Sequence, residues 1–197
     1  TNAKANNRTI GGPNGSNPFY LLNLMPRSLD VTQYRNSVDV TGNMIWYGTG
    51  SGINPYWGYQ YNLNEDERDR IMMNGSLKYE IASWLTGQIN AGADIYTNNS
   101  NARTYSGSPL TPTGRYSLGK NTFTETNFQA LFIAKKDDLF GKFGGMATLG
   151  GNLMDRQSSS ISGSAGQLVV PNLFALNNAV GNPTVGEGYS QKAINSV

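Results

Sequence analysis

Neither cysteine nor histidine occurs among the 197 residues. Their absence removes disulfide scaffolds, thiolate zinc sites, haem-attachment motifs and every nucleophile system built on Cys or His. Acid–base work is left to 13 carboxylates, the lysines and the tyrosines. Charge is scarce too: charged residues make up 14% of the chain, against roughly 25% in an average soluble domain. The balance is +2 with no Lys/Arg run, so there is no electrostatic footprint for nucleic acid. No stretch of 18 apolar residues occurs, which excludes a transmembrane helix. Thr1 to Ile10 is polar and carries no signal-peptide h-region. Its abrupt start leads us to expect an excised part of a longer protein.

Glycine and asparagine are abundant, 24 each, alongside 21 aromatic residues. In residues 1–67 they form near-continuous turn signals, such as Gly11-Gly12-Pro13-Asn14-Gly15 and Gly48-Thr49-Gly50-Ser51-Gly52. Short apolar pieces interrupt them, including Phe19-Tyr20-Leu21-Leu22 and Met44-Ile45-Trp46-Tyr47. This region reads as long loop, richer in aromatics than a linker.

Between 68 and 155 apolar and polar residues alternate with period 2, the strand signature. Ile71, Met73, Gly75, Leu77, Tyr79 and Ile81 share one face; Asn74, Ser76 and Lys78 lie on the other. After Ala82-Ser83 comes a second run, with Leu85, Ile89 and Ile95 opposed to Gln88, Asn90 and Asp94. A 27-residue polar stretch, Asn98 to Thr124, separates it from a third run over 125–136. The turn Asp137–Gly141 leads to a fourth run over 142–155 that carries Leu149 and Leu153 on its apolar side. The sequence predicts strands over about 68–81, 84–97, 125–136 and 142–155. Loop character returns over 156–197, whose last residues read as the start of another strand.

The fold class is therefore all-β, built of antiparallel hairpins. Short connections at one end and long ones at the other, with strands of 11 or more residues, are features of transmembrane β-barrels. Trp84 and Phe140 fall at the short-turn level and Tyr96 near the long-loop level, where aromatic girdles sit. On that reading the chain is a segment of a large barrel. Residues 1–67 form an extracellular loop region, 68–155 four barrel strands, and 156–197 an extracellular loop leading to the next strand. The faces led by Ile71, Leu77, Ile89 and Leu149 would meet lipid. The same alternation also suits a soluble sandwich or lipocalin-like barrel.

Particular words in the chain carry a resemblance. Asn54-Pro55-Tyr56-Trp57 is followed by Asn62-Leu63-Asn64-Glu65-Asp66-Glu67-Arg68-Asp69-Arg70, Ser76-Leu77-Lys78-Tyr79 and Ser83-Trp84-Leu85-Thr86. Further on come Phe128 through Lys136, Gly150-Gly151-Asn152-Leu153-Met154, Pro171-Asn172-Leu173-Phe174 and Lys192-Ala193-Ile194-Asn195-Ser196-Val197. In this order they resemble the SusC/RagA family of TonB-dependent outer-membrane transporters from Bacteroidetes-type bacteria. The likeness covers about 54–197; Met25-Pro26-Arg27-Ser28-Leu29-Asp30 extends it loosely. The resemblance implies a much larger parent barrel in the bacterial outer membrane, whose remaining segments and plug domain lie outside this chain. It implies import of a nutrient, a glycan fragment or a peptide, with a SusD-like surface lipoprotein as lid. Energy would come from the TonB complex through the plug. No cofactor and no bond-making chemistry are implied.

Local motifs add candidates. Tyr34, Trp46, Tyr47, Tyr56, Trp57, Tyr59 and Tyr61 cluster among Asn, Gln and Arg residues. Sugar recognition needs such a mixture, because CH groups stack on rings while hydroxyls pair with amides and guanidinium groups. Loop packing, or contact with a lid protein, uses the same residues. The candidate substrate-binding residues are Tyr34, Trp46, Tyr47, Tyr56, Trp57 and Arg27, with Arg103 and Arg115 as weaker ones. Glu65, Asp66, Glu67 and Asp69 do not follow calcium-loop spacing and read as a solvated strand entrance. Gly48 to Gly52 lacks the Lys-Ser/Thr of a phosphate loop. Gly163-Ser164-Ala165-Gly166 is no nucleophile elbow without a histidine, and Asp137-Asp138 reads as a turn. No metal site is expected, and the protein is expected not to be an enzyme. The alternative function is a soluble cell-surface β-domain that binds carbohydrate through the aromatic loops.

Overall fold

A computed structural model describes residues 2–6, 17–48, 52–138, 141 and 143–197. The chain is all-β. Strands β1 (Asn2–Asn6), β2 (Asn62–Ala82), β3 (Leu85–Thr104), β4 (Arg115–Lys136), β5 (Gly145–Gln167) and β6 (Thr184–Ser196) form one sheet in sequence order. Every neighbouring pair is antiparallel. The sheet does not close on itself. The edge of β2 over residues 70–82 and that of β5 over residues 145–151 have no partner strand among the described residues.

The strands run further than the alternation predicted. The 27-residue stretch read as loop holds the end of β3 and the first ten residues of β4, so the true connection is 105–114. Likewise 156–167 continues β5, 62–67 opens β2, and 184–196 is a full strand. The physical reason is that apolar residues in these stretches, such as Leu118, Ile161 and Val185, are sparse and do not alternate. A strand without a continuous apolar flank shows little period-2 contrast, and its pairing is imposed by the neighbouring ladder. The fourth strand starts at Gly145, not at Lys142; Lys142 and the girdle candidate Phe140 lie outside the described residues.

Register fixes the faces. Ile71 pairs with Ile95, Leu77 with Ile89, Ala91 with Phe128 and Phe128 with Leu153. The predicted apolar positions therefore fall on one side of the sheet, as a band across β2 to β5. Among the described residues no second layer covers this band: Ile71, Leu77, Tyr79 and Leu149 are 60–70% exposed. The buried apolar residues, Leu21, Ile53, Trp57, Ala165 and Leu168, lie instead in the connections at the long-loop end and the strand terminus beside them.

Within residues 1–67, read as loop, two short helices appear, α1 (Pro18–Leu24) and α2 (Pro55–Tyr61). Each begins with Asn-Pro. The asparagine side chain accepts from the first free backbone N–H groups, and proline fits the first turn because its missing N–H is not needed there. Asn17 Oδ1 accepts from Phe19 N at 3.1 Å and Asn54 Oδ1 from Tyr56 N at 2.9 Å. A single 3-10 turn, Val31–Tyr34, is capped by Asp30 in the same way.

Candidate functional site

Two groups of side chains stand out: a layer of connections at one end of the sheet, and the polar face of the sheet.

Asn54 organises the end layer. It is fully buried. Besides capping α2, its Nδ2 donates to the carbonyls of Tyr34 (2.9 Å) and Ile45 (2.8 Å). One amide thus ties three segments that are distant in sequence. Ile45 N donates to Ser37 O, and Met44 N to Gly107 O in the 105–114 connection. Gly107 sits at φ +108°, where a Cβ would lie 2.5 Å from Gly42 O and 3.0 Å from the Trp57 ring, so only glycine permits this approach. Ser106 N donates to Asn172 Oδ1 (2.8 Å), and Asn178 clamps the 168–179 connection through Val170 and Leu173.

The candidate aromatic residues divide into two sets. Tyr34, Trp46 and Tyr47 come together, with ring centroids 5.1 Å (Tyr34–Trp46) and 4.8 Å (Trp46–Tyr47) apart. All three are half-buried, leaving ring surface available to a solute. Trp57 belongs to the other set. It is 1% exposed and packs 4.3 Å from the Tyr61 ring. The series continues through Tyr105 to Phe174. Trp57 is therefore a packing residue, not a substrate contact: its ring is covered by the loops it joins. Tyr56 is half-buried on α2, Tyr59 is exposed, and Arg27 is exposed beyond α1.

Asp39 holds the turn that joins Val38 to Met44, between Tyr34 and Trp46 in the chain. Its Oδ1 accepts from Thr41 N, Thr41 Oγ1 and Asn43 N at 2.7–2.8 Å. The Thr41 hydroxyl, and then the Asn43 amide, hold its carboxyl below the ordinary 3.8.

The polar face carries a built network that sequence reading did not assemble. Asp94 on β3 stands opposite Met72 and Glu125, and Glu125 on β4 stands opposite Arg156. Arg70 Nε donates to Asp94 Oδ1 (2.8 Å) and Arg156 Nε to Glu125 Oε2 (2.8 Å). The order across four strands is thus Arg, Asp, Glu, Arg. One step along the strands, Tyr96 and Phe123 are direct partners with stacked rings, 4.7 Å apart and 16° from parallel. Arg68 lies over the Tyr96 ring at 5.1 Å and Arg156 over Phe123 at 5.5 Å, cation–π contacts in which a guanidinium meets the negative ring face.

On the short-turn side of this network follows an amide ladder. Ser76 Oγ and Gln88 Nε2 donate to Asn90 Oδ1, and Asn90 Nδ2 donates to Gln129 Oε1 (2.9 Å). On the long-loop side lies an open trough of about 760 Å³, lined by residues such as Asn64, Asp66, Ser100, Ser117, Ser162 and Thr184. The ladder links side chains of β2, β3 and β4 through these three bonds.

Of the remaining candidates, Asp66 lines the trough of this wall and the others lie apart from it. Glu65, Glu67 and Asp69 share the face of the apolar band, while Asp66 is on the polar face, because consecutive strand residues alternate. Arg103 Nη2 donates to Glu65 Oε2 (3.0 Å) on the band's face, and Arg115 is the exposed first residue of β4. Cross-strand pairs such as Glu125 and Arg156 are 31 residues apart, so no local motif announces them. The Asn-Pro pairs at 17 and 54 were the readable signal for the helices and for Asn54. Compared with protein-family models and with curated proteins, the chain matches none.

Proposed function

We propose that the chain is part of the wall of an outer-membrane β-barrel importer of the SusC/RagA type that it resembles. The observation that carries this reading is the two-faced single-layer sheet: an exposed apolar band on one side and a hydrogen-bonded polar wall on the other. A soluble sheet buries its apolar face against a second layer. Here the apolar face has no such cover among the described residues, and lipid is the solvent that suits it. The polar wall would then line the water-filled interior. Further strands would pair with the free edges of β2 and β5, because unpaired backbone groups cannot be left in hydrocarbon.

The cargo in this reading is a nutrient, a glycan fragment or a peptide, and the wall performs no bond-making step. A SusD-like surface lipoprotein would cover the connections at the long-loop end, and TonB would act through a plug domain. Tyr34, Trp46, Tyr47, Tyr56 and Arg27 would meet the cargo on its way in. The half-buried aromatic trio also suits the runner-up, a soluble cell-surface domain that binds carbohydrate. Fractionation separates the two. An importer wall is recovered from outer membranes only with detergent, and disrupting its gene lowers energy-dependent uptake of labelled oligosaccharides or peptides. Recovery in the aqueous phase, monodisperse without detergent and with Trp fluorescence that responds to sugar, would select the runner-up.

A further inference from the structure

Val170, Pro171, Asn172 and Leu173 form a tight turn, closed by Leu173 N donating to Val170 O. Asn172 sits at φ +63°, the one non-glycine residue with positive φ among the described residues. Proline followed by a left-handed residue is the pattern of a type II turn, in which glycine is the usual occupant of the left-handed place and asparagine the next. Asparagine brings what glycine lacks, a side-chain acceptor. Its Oδ1 takes the N–H of Ser106, 66 residues away in the chain, at 2.8 Å. The turn is itself held from behind. Buried Asn178 accepts from Val170 N and donates to the carbonyls of Val170 and Leu173.

Ser106 leads into Gly107, where the packing has no slack. A Cβ on Gly107 would lie 2.5 Å from Gly42 O and 3.3 Å from Asn43 Cα. The Gly107 carbonyl accepts from Met44 N at 2.8 Å, two residues before Trp46. Tyr105 adds a second tie between the same segments. Its N–H donates to Tyr61 O (2.9 Å), and its ring meets Phe174 edge-on at 4.9 Å. Close-packed segments pass a displacement on rather than absorb it.

We infer that Asn172 is a positioning residue for the aromatic trio. The 168–179 connection contributes no ring to the trio, yet through Asn172 it sets where Trp46 and Tyr47 stand against Tyr34. The inference rests on the reading of the trio as a cargo contact and deepens it. Tyr34 is anchored by its carbonyl to Asn54. The Trp46 side has two anchors, Ile45 O on Asn54 and Met44 N on Gly107. The second of these leads into the 105–114 connection, and Asn172 pins that connection one residue away. The ring centroids of Tyr34 and Trp46 are 5.1 Å apart. A gap of ~0.5–1 Å forfeits roughly a quarter to a half of a contact's attraction, so a small shift of Gly107 changes the surface offered to a solute.

Three substitutions in the full protein separate what this residue does. Asn172→Gly keeps the left-handed turn and removes the acceptor. Asn172→Asp keeps both, and Asn172→Ala removes both. Amide exchange is followed over 44–47 and at Val169 and Val180, whose N–H groups bond within the 168–179 connection and its base. The fluorine resonance of 5-fluorotryptophan at position 46 is identified by its loss in Trp46→Phe. In Asn172→Gly and Asn172→Ala, exchange over 44–47 should speed up by about three- to tenfold, the weight of one neutral hydrogen bond, and the Trp46 resonance should move. Val169 and Val180 should stay protected in Asn172→Gly, and Asn172→Asp should restore both readouts. Wild-type protection over 44–47 with an unmoved Trp46 resonance in Asn172→Gly would overturn the inference. So would equal loosening in Asn172→Asp.

Uptake of the labelled oligosaccharides or peptides tests the reading beneath it. A raised half-saturation concentration in both Asn172→Gly and Trp46→Ala supports the two together. Unchanged uptake in Trp46→Ala, with the resonance moved in Asn172→Gly, would overturn the trio as a cargo contact and leave the positioning of Trp46 by Asn172 standing.

Discussion

Asp94 and Glu125 stand directly opposite each other on β3 and β4, two carboxylates side by side, each held from its outer side by an arginine. Like charges in a cross-strand pair are unfavourable. The pair persists because Arg70 and Arg156 flank it, and because Asn127 Nδ2 donates to Glu125 Oε1 (3.0 Å). Removing one arginine should therefore cost more than removing one acid. Arg156→Ala is expected to lower stability by about 0.2–1 kcal/mol, the usual range for solvent-exposed pairs. Glu125→Gln should be closer to neutral, since it also removes the repulsion. Urea midpoints measured on the two variants check this; a larger loss for Glu125→Gln would contradict the assigned roles.

Leu149 and Thr148 are neighbours in β5 that point to opposite faces, Leu149 beside Phe132 and Thr148 beside Ile133. In the assembled importer, Leu149→Arg should impair membrane assembly by about 2–4 kcal/mol, the cost of a cation near the midplane. Thr148→Arg places its charge on the polar wall and should be milder. Folded yield in outer membranes, judged by heat-modifiable mobility, compares them. Equal damage would contradict the assigned faces.

Asn54→Ala removes a helix cap and strands the carbonyls of Tyr34 and Ile45. The expected cost is about 1–3 kcal/mol for leaving buried acceptors unpaired. The loss should be local: faster amide exchange over 31–47 and α2, with the strands unchanged. Asn54→Asp should fail as well, because a carboxylate supplies the cap but cannot donate. Full protection in Asn54→Asp would show that the cap alone matters.

Asp39 predicts a pH dependence for the loop between Tyr34 and Trp46. Its carboxyl titrates below the ordinary 3.8 when folded, so the unfolded loop binds its proton more readily. The stabilisation is fully present above 3.8 and is lost as pH falls through the lowered value. Fluorescence of Trp46, with the other tryptophans replaced by phenylalanine, should report loosening of the loop in that acid range. Asp39→Asn should remove the pH step. An unchanged step in that variant would assign it to another group.

The sequence by itself determined the all-β class, both hairpins and the two faces of the strands between about 68 and 155. It could do so because those strands are apolar on one side only, and an alternating flank is visible without knowing what it faces. It did not show the outer halves of the same strands. There apolar residues are sparse and do not alternate, as in Gln157 to Ser160, and only pairing with an established neighbour makes them strands. The aromatic residues were legible as a cluster but not as two sets. Nothing in the local chain distinguishes Trp46, with ring surface open, from Trp57, closed beneath Gly107; the fold of three connections around Asn54 decides it. The charged wall belongs to the tertiary structure as well. Arg70, Asp94, Glu125 and Arg156 are far apart along the chain, and they become neighbours only because the register of three strand pairs carries them to the same place.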